Sequence, residues 1–231
     1  MVRQQDPAPS PTRHKRKPIL ILLAVILEHA FDQSGLSAAA FTWNMDANAN
    51  WNASANWNPN TGFPDAVDDM ATFGAIITAP RTITLGEDIT VGRIDFNNAN
   101  AYAISGANTL AFGVSSGNAT VNVASGAHTI NSSIVLNNSL AVSTAGSTTA
   151  NFAGTVSESG GAATLIKTGA GTVTLSGNNT FTGGVDLAAG VVSLGSTAAL
   201  GSGSLDVTAN SRLRTTGAAI QVNNSDSAHE N

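Results

Sequence analysis

The chain has 231 residues, no cysteine, 23 glycines and only 11% charged residues, where a compact globule carries roughly a quarter. Without cysteine no disulfide framework can form, so stability must come from packing and backbone ladders. The net charge of −5 hides an asymmetry: from Phe41 onward five basic residues (Arg81, Arg93, Lys167, Arg212, Arg214) stand against twelve acidic ones. An acidic body does not attract polyphosphate, which excludes nucleic acid as a partner, and the regular return of Val, Ile, Leu and Phe excludes disorder.

The other five basic residues, Arg3, Arg13, Lys15, Arg16 and Lys17, precede the apolar run Ile19–Leu27 and the small-residue run Ser37-Ala38-Ala39-Ala40. A positive leader, a short apolar core and an Ala-x-Ala site make a secretory signal peptide over residues 1–40. Cleavage is expected after Ala40, with Ala38 as the second choice. Nine apolar residues are too few to cross a bilayer, which needs about 20, so no membrane span is expected in the mature chain. The first partner is the secretion machinery.

Residues 41–80 hold all three tryptophans, Trp43, Trp51 and Trp57, among many asparagines. Two readings are open. Exposed indoles stack on sugar rings, which would make Trp51 and Trp57 a polysaccharide platform. Alternatively, the indoles and Phe73 cover the open end of a stacked β-array, which needs a cap because a bare end leaves strand edges unpaired. The cap is favoured.

From Arg81 to the end, 81–231, short strand-like runs recur every eight to twelve residues or so. Thr172-Val173-Thr174-Leu175 and Ala119–Val123 alternate with period two, the mark of a half-buried strand. Some runs read as long, Ile89–Phe96, Thr129–Leu136 and Ala150–Val156 among them. Past the leader, no window sustains helical spacing. The signal fits an antiparallel sandwich or a parallel solenoid. Very short strands, small or β-branched inward positions and corner asparagines (Asn97, Asn98, Asn137, Asn138, Asn178, Asn179) favour the solenoid, with each Asn left-handed and stacked on the turn above. Coils of roughly 20 residues stacked at about 4.8 Å would give eight or so coils.

The stretch 165–201 carries the most specific pattern: Leu165, Lys167, Gly169 and Gly171, then Val173 and Leu175, then Ser176, Gly177, Asn179, Thr180, Phe181, Thr182, Gly183 and Gly184. It continues through Leu187, Gly190, Val192 and Leu194 and closes on Ala199, Leu200 and Gly201. It resembles the autotransporter-associated β-strand repeat, the passenger-associated repeat of secreted bacterial proteins; Val185-Asp186 departs mildly from it. Asn56, Trp57, Pro64, Asp68, Ala71 and Phe73 resemble the opening segment of such proteins. The resemblance implies an all-β, right-handed parallel β-solenoid (β-helix) on a secreted or cell-surface protein, and no particular biochemical activity.

Catalytic chemistry is not expected. Gly113-Val114-Ser115-Ser116-Gly117 fits G-x-S-x-G but lacks the strand-to-helix context of a nucleophile elbow. His128 reads as a turn residue without an acidic partner. The acidic groups Asp65, Asp68, Asp69 and Glu87, Asp88, Asp95 suit a solvated loop better than a calcium site, and no cofactor is expected. The chain ends at Asn231 with neither a capping helix nor alternating ten-residue barrel segments, which suggests the front of a longer protein, with a short secreted form or a decaying remnant as alternatives. The expected function is a structural or adhesive β-solenoid meeting a host or neighbour surface. The alternative is a carbohydrate-binding or polysaccharide-degrading module.

Overall fold

The computed structural model describes residues 38–208 and 211–217. The chain divides into two units, residues 1–36 and 37–231; the first, and with it the leader and its apolar run, lies outside the described residues. So do the last inward candidates, Ile220 and Val222.

The second unit is an all-β parallel solenoid with a single helical turn, the 3-10 turn Ser54–Asn56, among its described residues. Its three sheets hold nine, eight and four strands. In the first sheet Ala40–Trp43, Met70–Phe73, Arg93–Asn97, Ala119–Ser125, Leu140–Thr144, Leu165–Thr168, Val185–Leu187 and Leu205–Val207 stack in parallel, each on the strand of the coil before. The ninth strand, Trp57–Asn58, runs antiparallel along the free edge of Ala40–Trp43.

The second sheet stacks Ala49–Asn50, Arg81–Thr84, Tyr102–Ser105, Ala127–Ile130, Thr149–Phe152, Thr172–Leu175, Gly190–Leu194 and Ser211–Thr215. The third holds Ile89–Val91, Leu110–Phe112, Ile134–Leu136 and Val156–Glu158. Seven coil-to-coil steps in the first sheet, at about 4.8 Å each, span about 34 Å.

Period two decides which side chains face in. Thr172–Leu175 buries Val173 and Leu175, and Ala119–Ser125 buries Ala119, Val121 and Val123. In-register stacking turns these positions into columns along the axis. One column runs Ala71, Ile94, Val121, Val142, Lys167, Leu187. A neighbouring one runs Phe73, Phe96, Val123, Thr144. Each buried aliphatic or aromatic side chain contributes about 1.5–3 kcal/mol, so the stack holds together without disulfides.

Three sequence expectations change. The long runs break at corners: Ile89–Phe96 splits at Gly92, and Thr129–Leu136 and Ala150–Val156 each become two strands on different sheets. Apolar periodicity survives a corner, so the sequence could not show the turn. Coil length varies: Ala40 pairs with Met70, Leu140 with Leu165, and Leu165 with Val185, so coils of 30, 25 and 20 residues share one stack, the longest at its start. Finally, the corner asparagines are not left-handed. Among the described residues only Asp68 and Ser147 combine positive φ with a side chain.

Asn98, Asn138 and Asn179 instead clip coils together through their side-chain amides. Asn98 Nδ2 donates to the carbonyls of Gly74 at 3.0 Å and Ile77 at 3.2 Å in the preceding coil. Asn138 Oδ1 accepts from Val114 N–H at 2.9 Å. A side-chain amide satisfies buried backbone groups that a corner would otherwise orphan.

Candidate functional site

Two assemblies stand out: an aromatic cluster at the first coils and the tight corners of the repeat. In the first, Trp43, Trp51, Trp57 and Phe73 are each no more than 1% exposed. Phe73 is the hub, with ring centroids 5.5 Å from Trp57, 5.6 Å from Trp51 and 5.2 Å from Phe96. Trp51 and Trp57 meet edge to face at 4.9 Å, a favoured aromatic geometry. Every indole N–H is satisfied: Trp43 Nε1 donates to Met45 O at 2.8 Å, Trp51 Nε1 to Pro64 O at 2.8 Å, and Trp57 Nε1 to Trp51 O at 2.6 Å. The faces of Trp51 and Trp57, the candidate sugar platform, lie against other rings inside the protein.

The stack continues into His128, whose ring lies 4.5 Å from Phe96 at an interplanar angle of 10°. His128 is not a turn residue. It sits within Ala127–Ile130 and is 2% exposed. Nδ1 accepts from Tyr102 N–H at 3.1 Å and Nε2 lies 2.7 Å from Ser125 O. Those partners require the neutral tautomer with the proton on Nε2. Burial lowers its pKa below the ordinary 6.5, against the pull of backbone carbonyls.

His128 belongs to a series of polar side chains that tie down the corner between the first two sheets. Asn98 does so in one coil and His128 in the next. Thr148 Oγ1 donates to Val123 O and Ala145 O, and Thr208 Oγ1 to Leu187 O and Ala188 O. In the repeat coil the residue is Lys167. Its ammonium donates to the carbonyls of Thr168 at 2.5 Å, Gly169 at 2.7 Å and Ala189 at 3.1 Å. Lys167 is wholly buried in the inward column between Val142 and Leu187. Burial pulls its pKa down to about 8, while carbonyl acceptors favour the charged form. Lys167 shares the inward face with Leu165, where its charge alone would place it outside.

The repeat positions explain one another. Gly169 and Gly184 have φ of +74° and +84°, and a Cβ there would collide with the carbonyl oxygens of Thr144 and Ser204 in neighbouring coils. Gly171, Gly177, Gly183, Gly190 and Gly201 also leave no room for a Cβ beside backbone atoms of other turns. Asn179 is a two-sided clip. Its Oδ1 accepts from Val156 N–H at 2.8 Å, and its Nδ2 donates to Ala199 O at 2.5 Å. Phe181, Ala199 and Leu200 are buried, and Thr180 points to solvent.

The acidic residues are used structurally. Asp69 is 6% exposed; its Oδ1 accepts from Ala39 N–H at 2.8 Å, and its Oδ2 from the amides of Asp65 and Ala66 at 3.1 and 3.2 Å. Asp68 Oδ1 accepts from Ser115 N–H at 3.0 Å, so the G-x-S-x-G segment is a loop between strands, pinned to an earlier coil. Asp95 pairs with Arg93 at 2.9 Å on the outer face. Among the described residues no three His, Cys, Asp or Glu side chains are placed to hold a metal ion, and no helix is long and apolar enough to cross a membrane.

Parallel coils, glycine corners and a two-sided asparagine clip define the class: an all-β parallel β-solenoid. Residues 165–194 match the family described as the passenger-associated-transport-repeat. Over 167 residues, 71% of this chain, the sequence is 32% identical to the adhesin BmaC autotransporter of Brucella suis biovar 1 (strain 1330). That match covers 4% of the relative, so the chain spans a small fraction of its length. No solved structure matches. The chain is an autotransporter-associated repeat protein, and so a secreted or cell-surface bacterial protein.

Proposed function

We propose that this solenoid is a non-enzymatic, adhesive segment of a bacterial surface protein, exported behind its leader and presenting mostly uncharged hydrogen-bonding rows to a host or neighbouring surface. One observation carries the reading: in-register stacking aligns outward polar side chains along the axis. On the first sheet the row is Thr72, Asp95, Asn122, Ser143, Thr168; on the second it includes Thr129, Asn151 and Thr174. A ladder of donors and acceptors at about 4.8 Å spacing offers weak contacts that gain strength by number. The kinship with an adhesin supports the same reading.

In this reading Trp51 and Trp57 are end-cap residues rather than a sugar platform. The support is their burial and the antiparallel strand Trp57–Asn58, which covers the first edge of the sheet. Beads coated with the purified chain would be scored for retention on host-cell layers, on bacterial lawns and on polysaccharide films. Retention should exceed that of uncoated beads and fall when Asn122, Asn151 and Thr174 are replaced by alanine. Equal retention of coated and uncoated beads on every surface would remove the adhesive role and leave a spacer.

A further inference from the structure

The small-residue run before the solenoid offers two cleavage points, and the fold distinguishes them. Ala39 is already part of the body: it packs against the core, its carbonyl accepts from Met70 N–H at 2.8 Å, and its N–H donates to Asp69 Oδ1. Cleavage after Ala40 would remove both bonds. It would also strip Ala40, the partner of Met70, from the first strand.

Asp69 makes the second point. Its carboxylate is almost fully buried and accepts three backbone N–H bonds. Yet the two ion pairs among the described residues are Arg81–Asp46 and Arg93–Asp95, and neither involves it. A buried carboxylate without a cation costs several kcal/mol unless its charge is met. Cleavage after Ala38 would turn the Ala39 amide, 2.8 Å from Oδ1, into an ammonium and supply that cation at no change of position.

We propose that the mature chain begins at Ala39, and that Asp69 is the binding site for the α-ammonium created by processing. The inference rests on the leader reading. Sequence preference alone favours Ala40, since cleavage after Ala38 puts Leu36 rather than a small residue two positions before the cleaved alanine. The fold outweighs it, because of the two cleavage points only the one after Ala38 keeps the first coil whole. The charged neighbours do not compete. Asp65 and Glu87 add negative charge to this corner, and the Arg93 guanidinium is committed to Asp95.

The test is to export the full chain from a bacterial host and read the N-terminal sequence and intact mass of the secreted product. Ala39 as first residue supports the proposal; Ala40 or Phe41 overturns it. An uncleaved chain retaining Met1 overturns the leader reading itself, which is a different and recognisable result. The secreted protein is then labelled at its terminal amine with an activated ester at pH 7. A paired ammonium should react about tenfold more slowly than in the urea-unfolded chain, the ratio for a one-unit rise above the ordinary 7.7–8.0. Asp69→Asn, which keeps an acceptor oxygen but no charge, should restore the faster rate. Equal rates in folded and unfolded wild type would show that Asp69 does not hold the ammonium, without recourse to the variant.

Discussion

The first coils and the repeat coil fill the same solenoid cross-section by opposite means. Between Trp43 and Tyr102 six aromatic rings cluster in the interior beside aliphatic side chains, and the first coil takes 30 residues from Ala40 to Met70. Between Leu165 and Gly201 the coil takes 20 residues, the interior is mostly aliphatic, and glycines let the corners of neighbouring turns touch. Large rings tolerate long arcs because volume does the filling. Short arcs tolerate no side chain at the corner, which fixes residue types at fixed spacing. That is why the repeat is recognisable as a dense run of letters while the aromatic coils offer a looser pattern, Asn56, Trp57, Pro64, Asp68, Ala71 and Phe73, spread through polar residues.

The sharpest break of this comparison is Phe73→Ala. It removes the ring that touches Trp43, Trp51, Trp57, Phe96 and Tyr102, and should cost about 3–5 kcal/mol in urea unfolding. A loss under 1 kcal/mol would mean that the cluster collapses onto the gap and that volume is not what the first coils depend on. Gly184→Ala tests the other region. A left-handed φ and a collision with Ser204 O should together cost about 2 kcal/mol or more, although one carbon has been added rather than a ring removed.

The fold was legible in the sequence where each residue does one job. Val173, Leu175 and Leu187 announce their strands because they only pack. The parallel stack within residues 41–80 was harder to see, since Phe41, Ala71 and Phe73 sit among polar loop residues that mask their pairing with later coils. Sites were least legible where chemistry and position disagree. Lys167, His128 and Asp69 carry surface-type groups into the interior, and their partners are backbone carbonyls and amides, which leave no trace in a sequence.

A milder test sharpens the contrast between those buried groups. Because the folded-state pKa of His128 lies below its ordinary value, the unfolded chain binds its proton first. Stability from this group is therefore present above pH about 6.5 and lost as pH falls through that value. The melting temperature should drop between pH 7.5 and 5.5, and drop less in His128→Phe, which keeps the stack on Phe96 but cannot be protonated. The smallest effect is expected at Thr144, whose buried hydroxyl has no hydrogen-bond partner. Thr144→Val should be neutral or stabilise by up to about 1 kcal/mol, measured by the same urea titration.

Unequal coils have a mechanical consequence. The hydrogen bonds between coils run along the axis while the chain winds across it, so tension applied at the two ends peels one coil at a time. Each rupture pays out the contour hidden in that coil. The coil from Ala40 to Met70 stores 30 residues and the one from Val185 to Leu205 stores 20. At about 3.4 Å per extended residue these release roughly 100 and 70 Å. A single-molecule pulling trace would therefore be a ruler with uneven marks, its spacing reporting which end of the solenoid had yielded.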